Sequence, residues 1–167
     1  MKKVLIAIDY NPSAQKVAET GYTYARLMNA EISIVHAIAD ISHYTMEYMP
    51  IMGFEGFGAD IQYMNIDEQK YEAYSFLDCV VKYLGDNHIK TFVLDGITSE
   101  TILEFATHWE ADLLVLGTQN LNGFEKLAYG NTTSIILKKS RIPVLVVPAE
   151  RPRVSLTIKN MEGYLQL

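Results

Sequence analysis

Cysteine is almost missing from this sequence: among 167 residues there is one, Cys79. An internal disulfide is therefore excluded, which is compatible with a reducing compartment, and Cys79 falls in a helical stretch with no base beside it, so it reads as structural rather than nucleophilic. Long apolar runs are missing too; none approaches the ~20 residues of a membrane span. The opening MKKVLIAIDY starts like a secretion signal, but Asp9 cuts the run Val4–Ile8 well short of the ~7–15 residues of a signal core. The cytoplasm is the expected address. Positive charge is in deficit: 14 Lys and Arg against 20 Asp and Glu leave a net charge of −6, which gives no electrostatic footprint for nucleic acid or an anionic membrane. His36, His43, His88 and His108 are scattered, without metal-ligand spacing, so no dedicated metal site is expected. There is no G-x-x-x-x-G-K-[ST] and no early G-x-G-x-x-G. Neither a serine triad nor a glycosidase carboxylate pair shows as a local motif.

What remains is an ordinary globular composition, 49% apolar and 20% charged, at a length that fits one domain with a real core. Lys3–Ile8 is a continuous apolar run, as expected of a strand buried on both faces, and it ends at Asp9. Asn11-Pro12 then reads as a helix start, with Asn as N-cap and Pro first in the helix. Ala14, Val17, Ala18, Gly21, Ala25 and Met28 give that helix one apolar face. Glu31–Ala37 is the second strand, so the first two strands and their helix make a right-handed βαβ unit. Asp67–Leu84 is the second helix, stopped by Gly85. Thr91–Leu94 is the third strand, and a third helix capped by Thr98 or Ser99 runs to about Glu110. Leu113–Leu116 is the fourth strand, Ser134–Lys139 belongs to a fourth helix, and Val144–Val147, entered through Pro143, suits an edge strand. Strands alternating with helices predict a doubly wound five-stranded parallel sheet in the order 3-2-1-4-5, with helices on both faces. Asp40–Asn65, rich in Met, aromatics and Gly, is either an excursion packing its own aromatics on the domain or a lid or partner surface. The tail from Ala149 to Leu167 can add a strand or an arm on a partner.

Gly117–Thr133 (GTQNLNGFEKLAYGNTT) carries the strongest hint of function. It joins the fourth strand to the fourth helix, at the carboxyl ends of the strands, where such sheets bind ligands. Glycine allows close backbone approach, and the start of a helix favours an anion. Asn131, Thr132, Thr133 and Ser134 add side-chain donors, so the segment is a candidate phosphate cradle. His36 reads as a hydrogen-bonded core residue. Asp9 either offsets the dipole of the following helix or contacts a ligand.

The same loop resembles the nucleotide loop G-x2-G-x9-G-[ST] of the universal stress protein family. Gly117 and Gly130 match its outer glycines, Asn120 stands at the middle glycine, and Asn131 stands at the Ser or Thr. VLIAID, SIVHAIAD and DLLVLGT…GNTTSIILKKSRIPVLVVP resemble the family as well, and the resemblance runs from about Lys2 to Pro148. It implies an adenine-nucleotide alpha-hydrolase-like fold over 1–148, with a long loop at about 40–65 and a tail at 149–167. It further implies a small cytosolic homodimer, paired through Val144–Val147, that binds ATP or AMP where strands one and four diverge. Any Mg²⁺ would come with the nucleotide, held mostly by phosphate oxygens. By position, Asp9 lies beside the adenosine and Ala37 offers backbone to the adenine. Leu116 and Gly117 face the nucleotide, and Gln119 and Asn120 lie near the ribose and phosphates. Gly130, Asn131, Thr132 and Thr133 hold the phosphates. The expected role is a stress-response regulatory module. Its alternative is a dimeric interaction protein whose degenerate pocket binds no nucleotide. An enzyme, at most a slow ATPase, ranks last because no general base is identifiable.

Overall fold

The computed structural model describes residues 1–38, 51–55, 66–118 and 131–149. Its elements alternate throughout: β1 (Lys3–Ala7), α1 (Ala14–Leu27), β2 (Glu31–Ile38), α2 (Ile66–Leu84), β3 (Lys90–Asp95), α3 (Thr98–His108), β4 (Leu113–Gly117), α4 (Asn131–Lys139) and β5 (Val144–Val147). The strands pair in parallel in the order β3-β2-β1-β4-β5, as the alternation predicts.

The unbroken apolar run of β1 has a direct cause. Successive side chains of a strand point to opposite faces, and both faces of β1 are covered. Val4 and Ile6 join a core with Val17, Ala18 and Ala25 of α1 and Phe76, Leu77 and Val80 of α2. Leu5 and Ala7 join a second core with Ile102 and Ala106 of α3 and Ile136 of α4. Helices thus lie on both faces, α1 and α2 on one and α3 and α4 on the other. Helix α1 comes very close to the sheet: a Cβ on Gly21 would lie 2.7 Å from Ile6 Cδ1 and 2.8 Å from Ile6 Cγ1.

Helix starts differ from the sequence expectation in instructive ways. Helix α1 begins at Ala14, not Pro12, because Asn11 builds a turn first. The Asn11 side-chain oxygen accepts the Ser13 N–H (3.0 Å) and hydroxyl (3.1 Å), and its carbonyl accepts the Ala14 N–H (2.8 Å). Such Asn turns compete with helical bonding and displace the helix start. Neither Thr98 nor Ser99 caps α3: the preceding residue is Ile97, in extended conformation without a side-chain cap, and Thr98 is already helical. Helix α4 starts at Asn131, earlier than its apolar residues alone suggest.

At the amino ends of the strands, Asp112 fastens β4 to β1. Its carboxylate accepts the Lys3 N–H and the Lys2 ammonium, both at 2.8 Å, and its own N–H donates to the Lys3 carbonyl at 2.8 Å. Of the long segment between β2 and α2, residues 51–55 are described. Ile51 and Phe54 exchange two backbone hydrogen bonds (3.0 and 2.8 Å) around Met52 (φ 52°) and Gly53 (φ 80°). Two positive φ values mark a primed two-residue turn, which glycine accepts easily and methionine does not. Both flanking side chains are buried. The tail after Ala149 lies outside the described residues.

Candidate functional site

A cavity of about 90 Å³ opens at the carboxyl ends of β1 and β4. This is the point where the chain leaves neighbouring strands in opposite directions, and where open α/β sheets place ligands. Ala7, Ile8 and Asp9 approach it from β1, Ala37 from β2, and Leu116, Gly117 and Thr118 from β4. The amino-terminal ends of three helices complete it: Ser13, Ala14 and Val17 at the start of α1, Thr98 and Ile102 from α3, and Thr132, Thr133 and Ile136 from α4. Helix starts carry partial positive charge and outward N–H groups. The described lining contains no Lys or Arg, so those helix ends are its source of positive potential. The lining mixes apolar side chains with the hydroxyls of Ser13, Thr98, Thr118, Thr132 and Thr133 and the Asp9 carboxylate at the mouth, a mixture suited to a ligand with an apolar and a polar part.

Six of the residues singled out from sequence meet here: Asp9, Ala37, Leu116, Gly117, Thr132 and Thr133. Asn131 opens α4 and is exposed beside it. Gln119, Asn120 and Gly130 lie outside the described residues. Asp9 is reached by solvent at the mouth, while protein surrounds its other sides. Loss of water there pushes its carboxyl above the ordinary carboxylate range, and the Asn11 N–H, 3.0 Å from Oδ1, and its own amide pull the other way. Thr133 is buried and donates its hydroxyl to the Gly117 carbonyl at 2.9 Å, tying the start of α4 to the end of β4. Thr118 repeats the device on the other side, accepting the Ala149 N–H at 2.9 Å and donating its own N–H to Val147.

Gly117 has a packing reason that sequence does not disclose. A Cβ there would lie 2.8 Å from Val17 Cγ2 and 3.4 Å from Ser13 Oγ. The missing side chain admits α1, so the same glycine shapes the cleft wall. Thr98 and Ile102 were likewise outside the sequence-derived set. Only the topology brings the start of α3 to the cleft, because nothing local to TSETI marks it.

His36 sits on the opposite face from α3, 1% exposed, with Nδ1 3.0 Å from the Ile8 carbonyl. It packs against Tyr10 of the β1–α1 turn and Phe76 of α2, and both of those rings also meet Phe54 of the 51–54 turn. It is a core histidine and does not line the cavity. Among the described residues no three His, Cys, Asp or Glu side chains could hold a metal ion together, and no helix is long and apolar enough to cross a membrane. Cys79 is a half-buried free thiol.

Comparison with known proteins agrees with this geometry. The chain is 29% identical to Universal stress protein MJ0531 of Methanocaldococcus jannaschii over 147 residues, 87% of this chain and 81% of that one. Among solved structures, hypothetical protein MJ0577, from the same organism, superposes with a TM-score of 0.68 at 21% identity, covering 90% of this chain and 98% of that chain. A universal stress protein of Archaeoglobus fulgidus in complex with dAMP superposes with a TM-score of 0.55 at 19% identity, covering 87% and 96%. The model of the Universal stress protein family matches residues 1–148. With its parallel 3-2-1-4-5 sheet and the cleft where β1 and β4 part, this chain belongs to the universal stress protein family.

Proposed function

We propose that the protein is a regulatory module that binds an adenine nucleotide, ATP or AMP, in the β1/β4 cleft. The observation that carries this reading is the convergence of three helix starts on a cavity lined by both apolar and hydroxyl-bearing side chains. That combination can take both a base and phosphates without a lysine. The dAMP complex of the Archaeoglobus fulgidus relative supports the ligand class. In this reading Asp9 and Ala37 lie beside the nucleoside. Leu116, Gly117, Gln119 and Asn120 follow its sugar and phosphates, and Gly130, Asn131, Thr132 and Thr133 hold the phosphates. Mg²⁺ would enter with ATP.

A thermal-shift titration with AMP, ATP and ATP with Mg²⁺ tests the proposal. A ligand at a hundred times its Kd stabilises the folded state by about 2.7 kcal/mol, or roughly 5–10 °C for a chain of this length. Asp9→Ala is expected to reduce the shift while leaving the unliganded midpoint nearly unchanged. No shift at millimolar nucleotide would favour the interaction-protein alternative. That alternative expects a plugged cleft, yet among the described residues the cleft is open, and residues 51–55 do not line it.

We also infer a homodimer through Val144–Val147. β5 is an edge of the sheet, and Val144, Leu145 and Val146 are only half-buried. An apolar edge strand offers unpaired backbone groups to another strand unless it is covered. Light scattering should return twice the 18.9 kDa chain mass; a monomer at every concentration would reject the inference.

A further inference from the structure

The cleft-facing stretch from Asp9 to Ala14 is held on its upper side by polar bonds: Asn11 N–H to Asp9, then Ser13 and Ala14 to Asn11. Its underside carries one large side chain, Tyr10, 4% exposed and turned away from the cavity. The Tyr10 ring lies 5.9 Å from Phe54, nearly parallel at 19°, and among the described residues it also meets His36 at 4.4 Å and Phe76 at 4.9 Å. Phe76 and His36 belong to the helix and strand framework. Phe54 belongs to the 51–54 turn, more than forty residues along the chain, closed by two backbone bonds with Met52 in a left-handed conformation. A primed turn projects its two flanking residues side by side; here both are buried, and Phe54 joins the core formed with α1 and α2.

We propose that Phe54 is a positioning residue for the cleft, acting through Tyr10 to hold the Asp9–Ser13 turn in its ligand-facing shape. The 51–54 turn is therefore a second control point, reached from the face of the sheet opposite α3 and α4. Because coupling between two sites is reciprocal, a ligand that fixes Asp9–Ser13 also steadies the turn. This ligand-dependent half rests on the nucleotide reading above; the coupling between Phe54 and Asn11 does not.

Amide hydrogen exchange of the full chain separates the two. In Phe54→Ala, the amides of Asn11, Ser13 and Ala14 should exchange at least about tenfold faster than in the unmodified chain, with those of Ile102 and Val115 unchanged. Phe54→Leu, which keeps most of the volume, should restore protection. Val80→Ala removes core volume on the same face without touching the Tyr10–Phe54 stack and serves as the control for general loosening. If Phe54→Ala leaves the three amides as they were, or Val80→Ala frees them equally, the proposal is overturned. With AMP added, protection should rise at Phe54 as well as at Asn11, and Phe54→Ala should weaken AMP binding by about tenfold. An unmodified chain that ignores AMP overturns the nucleotide reading and leaves the exchange comparison to decide the coupling. Binding of AMP that Phe54→Ala does not alter overturns the coupling of the turn to the ligand and leaves the nucleotide reading standing.

Discussion

Phe76→Ala should cost the folded protein about 3–5 kcal/mol, a large part of the about 5–15 kcal/mol that holds an ordinary domain together. Phe76 is among the largest fully buried side chains, at 0% exposure. Its ring is the common neighbour of Tyr10 (4.9 Å), Phe54 (5.4 Å) and His36 (5.8 Å). Truncation loses the transfer of a whole ring from water and leaves a void that those rings, anchored on the β1–α1 turn, β2 and the 51–54 turn, cannot all fill. The urea midpoint should fall with the slope of the transition unchanged. A loss below about 1 kcal/mol would mean that the cluster collapses freely around the gap, and would contradict the close packing described above.

Acid should weaken the fold through His36. Burial holds its imidazole down at about 4, against an ordinary 6.5, with the bond to the Ile8 carbonyl pulling weakly the other way. The geometry explains why. A carbonyl accepts, so Nδ1 carries the proton of the neutral ring, and Nε2 has no hydrogen-bond partner among the described residues. Protonation would place a charged, unpaired N–H against the rings of Tyr10 and Phe76. The unfolded chain binds a proton below about 6.5 and the folded chain only below about 4, so stability declines as pH falls across that window and levels off beneath it. The full loss is on the order of 3 kcal/mol. Asp9, raised rather than lowered, acts with the opposite sign at the acid end. The lowered carboxyls of Glu31, Asp86 and Asp112 join the destabilisation only in the carboxylate range. Urea unfolding at pH 7.0 and 4.5, compared between the unmodified chain and His36→Asn, isolates the histidine, because the variant removes its proton. An unmodified chain whose pH dependence matches that of His36→Asn would refute the assignment.

The sheet was legible because its signal is local. Val4–Ile8 and Leu113–Leu116 are apolar runs of strand length, for which two-sided burial is the ordinary meaning, Glu31–Ala37 has strand character, and Val144–Val147 is a shorter apolar run at the sheet edge. The cleft was half legible for the same reason: Asp9 and Gly117 end strands, and strand ends follow from the runs. Thr98 and Ile102 escaped because their place at the cleft depends on which face α3 covers. The aromatic cluster escaped more completely. Residues 10, 36, 54 and 76 share no spacing, so their meeting is a property of the tertiary fold. Helix starts erred where Asn11 and Ile97 made side-chain and backbone choices that a capping rule does not weigh.

β1 borders β2, its near neighbour in sequence, and β4, which follows more than a hundred residues later and is fastened to it by Asp112. The two walls of the cleft are therefore contributed by the early and the late parts of the polypeptide. A nascent chain still lacking residue 113 possesses Asp9, Ala37 and Thr98 but lacks the wall that β4 and α4 contribute. The cavity is complete only when β4 takes its place along the open flank of β1, and a truncation before residue 113 leaves β3, β2 and β1 without that wall.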